Sequence, residues 1–341
     1  MKSSCTCSLV PEHVLEKLSA DTSLPPRVRL ACTETVKADR GFRKVRTAQK
    51  DATFAGTVTL AVTPTILVYD ERHSQTLPGA PIPSPTVSDD ATAKRCALET
   101  AAVASFYQAV FGRNSVDDHG ATLASSIHYG NSYNNAMWNG HQMIYGDGDG
   151  QIFLDFTASN DVIGHELTHG VTQHTAGLIY SGESGALNES ISDCFGSMFR
   201  QWQANQTSAT ADWLIGASIM GPAAVAKGYT CLRDMASPGA THCLSPQPGD
   251  YAHYVPGGDV HTNSGIPNRA FCLAAKACGG NSWTKVGKVW YGALTSPKAT
   301  PGMGFKKFAA LTVAIAKSLY PMDGTVQAAV VSAWNTTRVL P

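Results

Sequence analysis

Asp161-Val-Ile-Gly-His165-Glu166-Leu-Thr-His169 is the stretch from which the rest of the chain can be read. It contains His-Glu-x-x-His. On an α-helix, residues i and i+4 lie about one turn apart on the same face. His165 and His169 can therefore turn both imidazoles toward one metal ion, with Glu166 within reach of a water on it. A catalytic zinc takes three protein ligands and keeps a fourth position for water. The motif supplies two ligands and a general base. The third is expected from Gly185-Ala-Leu-Asn-Glu189-Ser-Ile-Ser-Asp193, where Glu189 follows His169 by twenty residues. That spacing lets one helix finish, a turn form around Ser181-Gly-Glu-Ser-Gly185, and a second helix begin. Asp193 falls one turn after Glu189, placed to accept the other ring N–H of a ligating histidine. His-Glu-x-x-His alone could be a structural histidine pair; Asn-Glu-x-x-x-Asp at this distance argues against that.

Composition sets outer bounds. The chain has 341 residues, a soft prior for two or three domains. It is 43% hydrophobic and 15% charged, with 26 basic and 26 acidic residues. The zero balance gives no reason to expect a nucleic-acid partner. No apolar run reaches the length of a membrane span. The first residues, Met-Lys-Ser-Ser-Cys-Thr-Cys-Ser-Leu-Val-Pro11, hold no apolar h-region, so a standard secretory signal is not visible. Nine scattered cysteines do not read as a disulfide framework. Cys231–Cys243 and Cys272–Cys278 bridges stay open, Cys194 reads as a small buried hydrophobe, and Cys5 and Cys7 read as surface thiols. A cysteine near the N-terminus could also cap a metal, but nothing in the sequence brings either sulfur to one.

The first fifty residues differ from the rest. A helix over Pro11–Leu18 is expected, then a break at Leu24-Pro-Pro26, a second helix from Arg27 to Ala38, and a basic tail Arg40–Arg46. This pattern suits a removable prosegment or an ordinary helical extension. Strands are expected at Thr57–Val62, Thr65–Tyr69, Ser126–Tyr129, Gln142–Tyr145 and Gln151–Phe156. A helix is expected over Ala91–Phe111. Gly146-Asp-Gly-Asp-Gly150 lacks the sixth-position Gly and the twelfth-position Glu of a calcium loop and reads as a hairpin turn. Beyond the metal motifs, helices are expected over Asn268–Cys278, Trp283–Leu294, Phe305–Leu319 and Val326–Trp334.

From about Val68 onward the chain resembles the thermolysin-like neutral metalloproteases, in particular their short-prosegment group. The resemblance rests on Tyr133-Asn-Asn-Ala-Met-Trp-Asn-Gly140, Tyr145–Gly150, Asp161–His169, Thr175-Ala-Gly-Leu-Ile-Tyr180, Gly185–Asp193 and Val260-His-Thr-Asn-Ser-Gly-Ile-Pro267. Leu9-Val-Pro-Glu-His-Val-Leu15 looks like the start of such a prosegment. The resemblance implies an α+β, two-lobed fold: a β-rich lobe, a helical lobe, and a cleft between them floored by the two-histidine helix. The expected division is a prosegment over 1–55, a β-rich lobe over 56–160 and a helical lobe over 161–341. One catalytic zinc would sit on His165, His169 and Glu189, with Asp193 behind them. Glu166 would be the base, and Tyr180 and His261 would donate to the oxyanion. Asn135, the backbone of Ala136, and Arg233 would grip the substrate chain. Phe153, Val162, Ile215, Ile219 and Leu232 would form a pocket for an apolar side chain.

The implied activity is a zinc endopeptidase that cuts on the N-terminal side of hydrophobic residues by attack of zinc-bound water. It would be made as a zymogen that processes itself near residues 46–60. Expected partners are peptide and protein substrates and its own prosegment; a monomer is expected, secreted on the family pattern or cytoplasmic on the missing signal. The competing reading is a latent zinc- and peptide-binding protein with little turnover. Two departures from the family pattern matter. Pro256 stands where an acid often orients the loop histidine, leaving Asp259 or Asp250 for that task. Asp161 and Asp212 remain from a double calcium site, but Arg200, Leu214 and Ala217 replace acids. A double calcium site is therefore not expected, and the Arg200 guanidinium is expected to neutralise Asp161 and Asp212.

Overall fold

The computed structural model describes residues 7–48 and 63–341. The strand expected at Thr57–Val62 lies outside the described residues. In chain order the elements begin with β1 (Cys7–Ser8), α1 (Glu12–Ala20), α2 (Pro26–Ala48), β2 (Ile66–Asp70), β3 (Ala80–Pro81), α3 (Ala91–Phe111), β4 (Leu123–Ile127), β5 (Ala136–Trp138) and β6 (Met143–Tyr145). Then follow α4 (Asn160–His174), α5 (Gly182–Gln203), β7 (Leu214–Ile215), α6 (Pro222–Ala226), β8 (Arg233–Asp234), α7 (Val260–Asn263), α8 (Gly265–Cys278), α9 (Val286–Leu294), α10 (Phe305–Leu319) and α11 (Gly324–Thr336).

The N-terminal half is built on one mixed sheet of order β1-β5-β6-β4-β2-β3. β4 pairs parallel with β2 and β6, while β5 runs antiparallel to β6. β1 closes the edge, with Cys7 opposite Trp138 and Ser8 opposite Met137. The second half is helical. This is the expected mixed-sheet lobe followed by a helical lobe. Among the described residues no helix is long and apolar enough to cross a membrane.

α3 begins and ends where the sequence puts it. The Asp90 side chain accepts from the Thr92 and Ala93 amides, and Gly112 closes the helix at φ 69°, the left-handed turn that glycine adopts without strain. Four expectations need correction. The second N-terminal helix does not stop at Ala38 but runs to Ala48 through the basic stretch. Arg40 and Arg43 bond Glu12 of α1, and Arg40 also bonds Glu16, which turns a repulsive run into a helix–helix clasp. The strand expected at Ser126–Tyr129 runs instead over Leu123–Ile127, because His128 has φ 52° and ends it. Gln151–Phe156 forms no strand and 146–150 no hairpin. The Asp149 carboxylate accepts from the Gln151 and Ile152 amides, and only Phe153 makes a bridge, to Met220.

α4 and α5 cross closely enough for one to reach into the other's side chains. Glycine makes this possible: a Cβ on Gly196 would lie 2.5 Å from the Asp161 carbonyl oxygen. Beside the crossing, Arg200 bonds Asp212 and places Nη1 3.6 Å from the buried Asp161 carboxylate. The expected guanidinium bridge is formed.

His128 makes a second charge cluster. Nδ1 lies 2.7 Å from Asp147 and Nε2 2.9 Å from Asp90, with His73 3.5 Å from the other Asp147 oxygen. The Asp147 hydrogen bond leads, with Asp90 adding, and together they outweigh burial and raise the His128 pKa to about 9. The folded value exceeds the unfolded one, near 6.5, so this stabilisation is complete below pH 6.5 and disappears as the pH rises through 9. In a Glu166→Gln background, His128→Gln is expected to lower Tm at pH 6 by about 3 °C, a solvent-discounted effect of about 2 kcal/mol. The gap should close by pH 10 in calorimetry.

Candidate active site

α4 carries His165, Glu166 and His169, and α5 carries Asn188, Glu189, Ser192 and Asp193; all seven are buried. The two Nε2 atoms are 3.0 Å apart. Glu189 Oε2 is 3.5 Å from His165 Nε2, and Oε1 is 3.6 Å from His169 Nε2. Three lone-pair donors thus converge at spacings that suit ligands about 2.0–2.2 Å from one tetrahedral zinc.

The other ring nitrogens explain the orientation. His165 Nδ1–H donates to Asp193 Oδ1 at 2.9 Å. His169 Nδ1–H donates to Asn188 Oδ1 at 2.9 Å, with the Ser192 hydroxyl 3.1 Å away. Both rings are therefore fixed with Nε2 free for a metal. Asn188 and Ser192 were not foreseen as partners of His169, although Asn188 lies inside the quoted motif. Burial opposes charge on His165, but Asp193 and Glu189 raise its pKa to about 10; a cation at Nε2 takes the place of that proton. Burial holds His169 neutral, down to about 3.

Glu166 differs from its neighbours. Both its carboxylate oxygens are buried and neither has a hydrogen-bond partner among the described residues. Burial pushes its pKa up to about 8. An unpartnered buried carboxylate is costly unless something is to fill the place, and a metal with its water would fill this one.

Asp193 links the metal ligands to Arg233. Arg233 is fully buried and grips it through Nε at 2.8 Å and Nη2 at 2.7 Å, and Asn268 donates at 2.8 Å. Burial alone would raise the Asp193 pKa; Arg233 and His165 hold it well below the usual carboxylate range. Arg233 Nη1 is left over, and it donates to the Leu9 carbonyl at 2.9 Å. Tyr180 donates to Glu189 and sits 3.2 Å from His261 Nε2. His261 is oriented by Asp259, 2.6 Å from Nδ1, while Asp250 caps a short turn and bonds His253. The missing acid at Pro256 is thereby replaced. Burial opposes protonation of His261, but Glu189 and Asp259 outweigh it and raise its pKa.

The N-terminal segment lies against these residues. The His261 Nε2–H donates to the Ser8 carbonyl at 2.5 Å, and the Leu9 amide donates to the Ala136 carbonyl at 3.0 Å. Asn135 accepts from the Val10 amide at 2.8 Å and donates to its carbonyl at 3.1 Å. Leu9 is fully buried, and so are Phe153, Val162, Ile215, Ile219 and Leu232, all of them part of the main hydrophobic core. Cys7 is neither exposed nor a free thiol. It is disulfide-bonded and fully buried, and its sulfur lies within 4.8 Å of donor atoms of His169 and Glu189. The other open pairs, Cys231 with Cys243 and Cys272 with Cys278, are all free thiols.

Comparison with known proteins agrees with this geometry. Residues 36–173 match the profile of the thermolysin metallopeptidase catalytic domain, and residues 176–339 that of its alpha-helical domain. The chain is 38% identical to an extracellular metalloprotease of Pectobacterium carotovorum, over 99% of this chain and 98% of that one. It is 39% identical to a thermolysin of Bacillus sp. strain EA1, over 80% of this chain and 51% of the relative. The precursor of protealysin, a metalloproteinase from Serratia proteamaculans, has a similar structure, with a TM-score of 0.85 at 37% identity over 98% of this chain and all of that one. The chain belongs to the thermolysin family of metallopeptidases and is a zinc-dependent metalloendopeptidase.

Proposed function

We propose that this chain is the self-processing zymogen of an endopeptidase that cuts on the N-terminal side of hydrophobic residues, with residues 1–55 as its inhibitor. The path of residues 8–10 carries this reading. Ser8 ends β1 with its carbonyl on His261, and the Leu9 carbonyl that follows meets Arg233, with the Leu9 side chain buried. A peptide substrate bound in the same direction would put an apolar residue at the Leu9 position and the preceding carbonyl at His261.

His165, His169 and Glu189 would hold the zinc, which when bound would supply Lewis acidity to a peptide carbonyl and lower the pKa of a water. The remaining work falls to side chains. Glu166, unpartnered and adjacent, takes a proton from the attacking water and passes it to the leaving amine. His261, held by Asp259, donates from Nε2–H to the developing oxyanion, with Tyr180 beside it. Asn135, the Ala136 carbonyl and Arg233 fix the strand on the leaving-group side. In the unprocessed chain the buried Cys7 sulfur stands beside His169 and Glu189. A disulfide sulfur is not a thiolate ligand, so it shields that space from water rather than coordinating there.

The test is the intact mass of the purified full chain over time, with zinc and with a chelator. The expected result is a zinc-dependent loss of about fifty N-terminal residues, the length before the first strand signals, together with the appearance of activity on an unfolded protein. An intact chain that never cleaves such a protein would instead identify a latent zinc- and peptide-binding protein.

A further inference from the structure

A second group of metal-type donors lies on the segment that carries Leu232 and Arg233. Cys231 and Cys243 face each other across an isolated parallel bridge, with their sulfurs 3.8 Å apart. His242 contributes a ring nitrogen, and the three donor atoms all lie within 4.8 Å of one another. Asp234 Oδ2 is 3.2 Å from His242 Nε2, the kind of carboxylate that accompanies a ligating histidine. Both cysteines are buried, while the His242 side chain is 40% exposed and leaves a route in from solvent.

The sulfur separation is informative. Two thiolates at 2.3 Å from a tetrahedral zinc stand about 3.8 Å apart, whereas a disulfide requires about 2.05 Å. The backbone keeps the two segments side by side without any bond between the sulfurs. The Thr230 amide donates to the His242 carbonyl at 3.0 Å, the Leu244 amide to Cys231 at 2.9 Å, and the Ser245 amide to Leu232 at 3.0 Å.

We propose that Cys231, His242 and Cys243, backed by Asp234, form a structural site for a thiophilic divalent cation such as zinc, distinct from the catalytic centre. Such a clip would hold the ends of the 231–243 loop together and so steady Arg233 against Asp193. The proposal does not depend on the zymogen reading.

The experiment uses full-length chain carrying Glu166→Gln to prevent self-digestion, loaded with zinc or cobalt(II) and freed of excess. About two equivalents of metal per chain are expected, falling to about one in His242→Ala. The exposed histidine makes that change compatible with folding, and Cys231→Ser/Cys243→Ser provides a second variant. Cobalt adds a spectroscopic readout: a sulfur-to-cobalt charge-transfer band that survives Cys7→Ser and disappears in His242→Ala and in the double variant. The catalytic donors, two histidines and a carboxylate, cannot give that band. One metal per chain without the band would overturn the proposal, as would a peptide map in which Cys231 and Cys243 are joined by a disulfide.

Discussion

With residues 1–55 removed from both chains by an added protease, Glu166→Gln is expected to lower kcat/KM on an unfolded protein by at least about a thousandfold relative to wild type, with metal content unchanged. The substitution keeps shape and volume and removes only the capacity to accept a proton. Glu166 makes no hydrogen bond that the amide would break, since both its oxygens are unpartnered. His165, His169 and Glu189 keep their geometry, because their orientation comes from Asp193, Asn188 and Ser192 rather than from Glu166. Zinc should therefore stay bound while the water loses its base. The loss should fall mainly on kcat, since the groove residues Asn135, Ala136 and Arg233 are untouched. Equal metal content with near-normal turnover would remove Glu166 from the mechanism. Lost metal would place its role in the ligand cage.

The sequence disclosed the chemistry of the site better than its surroundings. His165, His169 and Glu189 were legible because one helical turn converts spacing into direction. α3 was legible because Asp90 and Gly112 mark its ends with local signals. What failed depended on partners distant in sequence. The Arg40–Arg43 run looks like a tail until Glu12 and Glu16 are seen across from it. Residues 151–156 have strand-like composition but pair only through the isolated bridge of Phe153 with Met220. The choice between Asp259 and Asp250 could not be made from spacing, because it turns on which carboxylate the loop swings onto His261 Nδ1. Cys7 looked like an exposed thiol because the edge of the sheet that buries it lies more than a hundred residues away.

Leu9→Asp is expected to open the groove in the intact chain. Full burial of a leucine side chain contributes about 1.5–3 kcal/mol, and an unpaired carboxylate in its place costs several kcal/mol more. Arg233, which bonds the Leu9 carbonyl, is already held by Asp193 through two nitrogens and is not free to pair with the new charge. A loss of about 4 kcal/mol would weaken docking of residues 7–10 about a thousandfold. The helical part of the segment stays attached by other means: Thr35 Oγ1 accepts from the Asn134 amide, and Asp39 accepts from Tyr133 and Asn135. The variant should thus remain folded, with α1 and α2 in place and only the groove strand released. On a short quenched-fluorescence peptide, the unprocessed wild type should show a lag. Leu9→Asp, verified intact by mass, should begin at a rate at least about tenfold higher. Leu9→Met, similar in volume and apolar, should keep the lag. The contrast separates occupancy of the pocket from mere presence of the segment. If both variants retained the lag, inhibition would have to come from Asp39 and the helices, and the substrate-like path of residues 8–10 would be a consequence of latency rather than its cause.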